Sequence, residues 1–117
     1  MAGRLELGQA ITLSVDSIFE PYDKANTAYI DVEAGERYIV KCDKSQVWTD
    51  WFINTDADGY FNLFAWLQGM RIKGAKCYCL CGTYNFYENK NGFKIGSDGI
   101  AEVPEKATLS FFANDSY

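Results

Sequence analysis

Three stretches of this sequence carry side chains able to bind or react. The first is Asn54-Thr55-Asp56-Ala57-Asp58-Gly59. It resembles the front half of an EF-hand loop, where oxygens at positions 1, 3 and 5 converge on calcium and a glycine at position 6 allows the sharp bend. Position 12 of such a loop must bring a bidentate carboxylate. Here it is Ala65, between Phe64 and Trp66. Asp56 and Asp58 thus form only part of a metal site. The plainer reading is a turn in which Asp side chains bond their own backbone. The second stretch is Asn114-Asp115, just past the apolar run Ala107–Phe112. Two oxygen-bearing side chains there either cap a turn or hold a cation. The third is the aromatic group Trp48, Trp51, Tyr60 and Trp66. Exposed rings stack on sugar C–H faces or anchor interfaces, and buried rings are core. Trp48 and Trp51 are three apart, so a strand would send them to opposite faces.

Other chemistry is excluded by what is missing. The chain has no His, hence no imidazole base near neutral pH and none of the commonest metal ligand. With no recognisable nucleophile-base pair, the expectation is a protein that is not an enzyme. The formal net charge is -5, with no Lys/Arg cluster to neutralise phosphates, so nucleic acid is not an expected partner. Anionic membrane surfaces are disfavoured for the same reason. No segment approaches the roughly 20 apolar residues that span a bilayer. Glycines in GFKIGSDG sit in a strand and a turn, so phosphate-cradling readings fail.

Cys77, Cys79 and Cys81 form C-Y-C-L-C, with Cys42 elsewhere. A strand would point all three thiols of the run the same way, badly placed to bridge each other. Cys42 could pair with one of them. The preferred reading is small buried apolar groups, over a soft-metal or redox site. Free thiols and an N-terminus without an apolar h-region together favour a reducing compartment such as the cytoplasm.

These groups must be positioned by strands. The chain of 117 residues is 48% hydrophobic and 16% aromatic, enough for one domain, 1–117, with a single core. Alternation marks strands at Leu5–Leu7, at Ile11–Val15 and at Thr27–Val32. Gly35 centres a tight turn, and Arg37–Cys42 is the expected hairpin partner of Thr27–Val32. A short strand is expected near Val47–Ile53, and the Asn54–Gly59 turn follows it. Tyr60–Met70 fits a helical turn or a strand equally. Ala75–Tyr87 reads as the longest strand, with a bulge at Gly82. Asn91-Gly92 ends a hairpin turn, followed by FKIG, a turn, IAEV and ATLSFF. About eight short strands, at most one short helix and frequent turns predict an all-β antiparallel sandwich.

In the order and spacing of its short motifs the chain resembles the calcium-dependent galactophilic lectins, a family with a galactose-binding-like, jelly-roll sandwich. AITLSV is similar to the family's first strand, and AYIDVEAGERYIVKC to its strand, Gly turn and strand. VWTDW falls where the family has an aromatic segment, and FKIG with ATLSFFAND resembles its closing pattern. The resemblance spans about Ala10 to Asp115. It implies a calcium ion at one end of the sandwich that coordinates two sugar hydroxyls directly. Asp115 would be a ligand, with a backbone carbonyl from near Trp48–Trp51. Further ligands would come from a loop of paired Asn residues before a last strand, and the sequence, ending at Tyr117, lacks that loop and strand. A missing strand would leave an unpaired edge and so an oligomer, unless the LELGQ stretch fills it.

The resulting expectation is a binding module for galactose-like carbohydrate, with calcium as its cofactor. Trp48, Trp51, Asn114 and Asp115 would contact the sugar, and Asp115, or else Asp56 and Asp58, the metal. The competing expectation is an assembly subunit with a protein partner and no sugar.

Overall fold

The computed structural model describes residues 5–6, 8–15, 21, 28–50, 53–60, 72, 74–86 and 91–114. Its strands are β1 (Ala28–Val32), β2 (Arg37–Lys41), β3 (Trp48–Asp50), β4 (Ile53–Thr55), β5 (Leu80–Tyr84), β6 (Gly92–Lys94), β7 (Asp98–Glu102) and β8 (Ala107–Ala113). Every ladder is antiparallel, and no helix occurs among the described residues. The protein is all-β. Its radius of gyration, 13.6 Å, is that of a compact chain of this length.

One sheet has the order β1-β8-β5-β6, and two ribbons pair β2 with β7 and β3 with β4. The expected β1–β2 hairpin does not form. β1 pairs with β8, from Ala28↔Phe111 to Val32↔Ala107, and β2 pairs with β7. Alternation tells which side chains face inward, not which strand lies alongside. The Glu33–Glu36 turn therefore carries the chain from the sheet to the ribbon. Val103–Lys106 carries it back between β7 and β8. The two crossings are joined: Gly35 N donates to Val103 O, and Val103 N to Glu36 O, each at 2.9 Å. Gly35 takes φ +81°, a conformation that suits glycine.

The crossings wrap one core. Ile30, Val32, Leu80, Ala101, Leu109 and Phe111 are buried in it, and Tyr38, Val40 and Trp48 pack against its side. The other face of the central sheet is also covered, with Cys79, Cys81 and Phe112 wholly buried. β8 is interior, flanked by β1 and β5; among the described residues the sheet's edges are β1 and β6.

Four further expectations change. Residues 11–15 form no strand, although Leu13 and Val15 pack on the core. The strand expected over Val47–Ile53 is two, β3 and β4, paired through Trp48↔Thr55; no Gly, Pro or Asn marks the reversal. The long strand over Ala75–Tyr87 shrinks to β5, because Tyr78 takes φ 58° and turns the chain. Gly82 is not at a bulge, since its register with Phe93 and Phe111 is regular. It is glycine because a Cβ there would lie 2.8 Å from the Phe93 ring and 3.0 Å from Ile95. Phe61–Met70, Leu7, Phe19, Tyr22, Trp51 and Asp115 lie outside the described residues.

Candidate functional site

β8 delivers Asn114 to the end of the central sheet. Asn114 is fully buried, and its amide is committed to backbone. Oδ1 accepts from Ile72 N at 2.9 Å, and Nδ2 donates to the carbonyls of Ile72, Ala75 and Lys76 at 3.1, 3.2 and 3.3 Å. This satisfies a turn that has no ladder of its own. Asn114 is a brace in this structure and offers no side-chain atom to a ligand. Its backbone carbonyl accepts from Tyr78 N, and its N–H donates to Cys79 O.

Tyr78 is the junction of the site. Its backbone lies in the left-handed region, uncommon for an aromatic residue. One flank is held by Asn114, and the other by the Trp48 indole, whose Nε1 donates to Tyr78 O at 2.9 Å. Trp48 meets the Tyr78 ring edge-on at 6.4 Å, and Tyr60 stacks parallel to it, at 6.4 Å and 7°. All three rings are part-buried. Cys77 lies beneath Tyr60 and Tyr78. Two candidates distant in sequence, Trp48 and Asn114, are thus brought together through a residue that no sequence pattern singles out. Tyr78 sits inside C-Y-C, and nothing about a lone Tyr announces a left-handed backbone.

The Asp56–Gly59 turn lies on a different contact. Asp56 Oδ1 accepts from Asp58 N at 2.9 Å, and Gly59, at φ +77°, closes the bend with Gly59 N on Asp56 O at 3.1 Å. Ala57 is buried, and its carbonyl accepts from Leu80 N at 2.7 Å. Asp58 reaches to the β6–β7 turn. Its Oδ1 accepts from Ser97 N at 2.8 Å, and the Ser97 hydroxyl bonds both carboxylate oxygens at 3.0 and 2.9 Å. Lys44 adds an ion pair at 3.3 Å. The Ser97 N–H, then the Ser97 hydroxyl, hold the Asp58 carboxyl below its usual range, with Lys44 helping. Asp56 and Asp58 therefore serve a turn-to-turn clamp here. Among the described residues no three Cys, Asp or Glu side chains form a metal-holding group.

The cysteines are split by the Tyr78 turn. Cys79 and Cys81 share one apolar cluster while Cys77 sits in another, which corrects the expectation of three thiols on one face. All four cysteines are free. A hydrogen bond to Cys79 and burial push the Cys81 thiol well up. Burial, then Asp43, Asp56 and Asp58, raises Cys42. Neither is a ready thiolate.

Compared with protein-family models, curated proteins and solved structures, the chain matches none.

Proposed function

We propose that the chain is a non-enzymatic carbohydrate-binding module, a galactose-binding-like β-sandwich that takes its ligand at the end of the central sheet where β8 runs out. The observation that carries this reading is the ring group Trp48–Tyr78–Tyr60, gathered around one left-handed peptide. Three part-exposed rings fixed by backbone bonds are a stacking platform for sugar C–H faces. Unusual backbone of this kind collects at binding sites. Two paired crossings that fold a ribbon over a sheet, with a shared core, support the sandwich, jelly-roll reading. Asp115, next to Asn114 in sequence, is the carboxylate of this reading, with calcium as the cation it would share with sugar hydroxyls. Trp51 is the second ring of the β3–β4 segment in this reading.

The test is calorimetric titration of the chain with methyl galactoside, with calcium and with chelator. Heat should appear with calcium, and Trp48→Ala should weaken binding about tenfold, the loss of about 1.4 kcal/mol of stacking. Absence of heat at millimolar galactoside in both buffers removes the proposal. A protein-interaction role is the second reading, favoured by Ile39 and Ile100, which stand 70% and 47% exposed on the ribbon's outer face.

A further inference from the structure

β2 has a free edge. In an antiparallel ladder, bonded and non-bonded pairs alternate. Cys42 N donates to Ser97 O at 2.8 Å, and Val103 N to Glu36 O at 2.9 Å. These bonds bracket the β2–β7 register and assign the even-numbered residues of β2 to β7. The N–H and C=O groups of Arg37, Ile39 and Lys41 therefore point away from β7. Among the described residues no strand pairs with them. A cleft of about 610 Å³ adjoins β2. β2 contributes Tyr38, Ile39, Val40 and Lys41 to it, residues 11–15 and 46–48 line much of the rest, and β7 contributes nothing. The cleft thus opens on the unpaired side of β2.

We propose that β2 is a strand-addition site for an extended segment of another protein that carries an acidic residue on each side of an apolar one. Such a segment would bond the outward groups of Arg37, Ile39 and Lys41, the way peptides add to open sheet edges. Its inward side chains would enter the cleft as neighbours of Tyr38 and Val40. Its outward side chains would face Arg37, Ile39 and Lys41, so acid–apolar–acid is the matching pattern. β7 already meets β2 with that pattern: Glu102, Ile100 and Asp98 stand opposite Arg37, Ile39 and Lys41. The same charges argue against a second copy as occupant. Antiparallel pairing of β2 with itself about Ile39 sets Arg37 opposite the copy's Lys41, like charges face to face.

The experiment follows backbone amides by NMR while capped peptides are added, one with Glu-Val-Ile-Val-Glu at its centre and one with Lys-Val-Ile-Val-Lys. The acidic peptide should shift the Ile39 and Lys41 amides and saturate at or below about 1 mM. The basic peptide should bind at least tenfold more weakly. Arg37→Glu with Lys41→Glu should reverse that order. Ile39→Pro should abolish binding of both while the ladder to β7 stays, because a proline is tolerated where its N–H would face away from the sheet. The proposal is overturned by any of three results: neither peptide shifts these amides, the amides are already protected from exchange in the free chain, or the chain self-associates through them. The first excludes the site, the second gives the edge to the chain's own segment, and the third gives it to a second copy.

Discussion

β2 and β5 are both five-residue antiparallel strands, yet they are buried in opposite ways. β5, LCGTY, is buried at every position, whereas β2, RYIVK, alternates between exposed and part-buried. The difference lies in what covers them. β5 has strands on both sides, and apolar clusters on both faces. Among the described residues β2 has one neighbour, one covered face and one open face. A strand covered on both faces is freed from alternation but must fit everywhere. That fit explains Gly82, where even a methyl group would press on Phe93 and Ile95. It also leaves the hydroxyls of Thr83 and Ser110, on residues paired across β5 and β8, buried without a hydrogen-bond partner among the described residues. The ribbon pairs Arg37 with Glu102 at 3.8 Å, an exposed ion pair of small value.

The sharpest test of this contrast exchanges one large apolar residue in each layer for alanine. Phe112 is wholly buried beside Cys79, Cys81 and Ile72. Phe112→Ala should cost about 3–5 kcal/mol, from lost transfer energy and the cavity left behind. Ile39→Ala should stay within about 0.5 kcal/mol of the parent, since its side chain leaves little behind when removed from an open face. Urea midpoints of the two variants measure the difference. Equal losses would mean that the ribbon's outer face is covered in solution.

The sequence revealed a good part of the framework. β1 was legible from its alternation, and β2, β7 and β8 as short apolar strands between turns. Gly35 takes positive φ at the turn expected for it, whereas the turn expected over residues 97–99 falls one residue or more earlier, at Gly96. What stayed hidden depends on residues far apart in the chain. The turn after β1 looks local, but its hydrogen bonds reach Val103, so the sequence read as a hairpin what is a crossing. The Cys77–Cys81 run has perfect strand alternation, and only the contacts of Tyr78 with Trp48 and Asn114 explain why it bends. For the site, Trp48 and Asn114 were legible as residue types. Their meeting at Tyr78 was not, and neither was the use of the whole Asn114 amide inside the fold.

Asn114 yields the next effect in size, and it sharpens the contrast by asking how the buried sheet ends. Asn114→Ala leaves Ile72 N and three carbonyls without their side-chain partner. Unmatched buried backbone groups cost about 1–3 kcal/mol each where water cannot reach them. A loss of about 3 kcal/mol is expected, because part of the turn can relax toward solvent. Tryptophan emission should stay unchanged, since Tyr78 N is held by the Asn114 backbone carbonyl, which the substitution keeps. A shifted emission would show that the turn braced by the Asn114 side chain also positions the ring group.

The smallest effect belongs to the clamp between the Asp56–Gly59 turn and the β6–β7 turn, where the ribbon begins. Asp58→Asn keeps an oxygen for Ser97 N but removes the charge. Hydrogen bonds to a charged group are worth more than neutral ones, and solvent screens this part-exposed carboxylate, so a cost of about 1 kcal/mol is expected near neutral pH. That corresponds to roughly 4 °C in Tm for a chain of this size. The sign of the pH dependence follows from the depressed carboxyl of the folded state. Its contribution is complete above the unfolded value of about 3.9 and is lost as pH falls through that value toward the folded one, because the unfolded chain takes up the proton first. The Tm gap between the parent and Asp58→Asn should therefore be constant from pH 7 to about pH 5 and close below about pH 4. A gap that persists undiminished at the lowest pH would trace the cost to geometry at Ser97 and not to the charge.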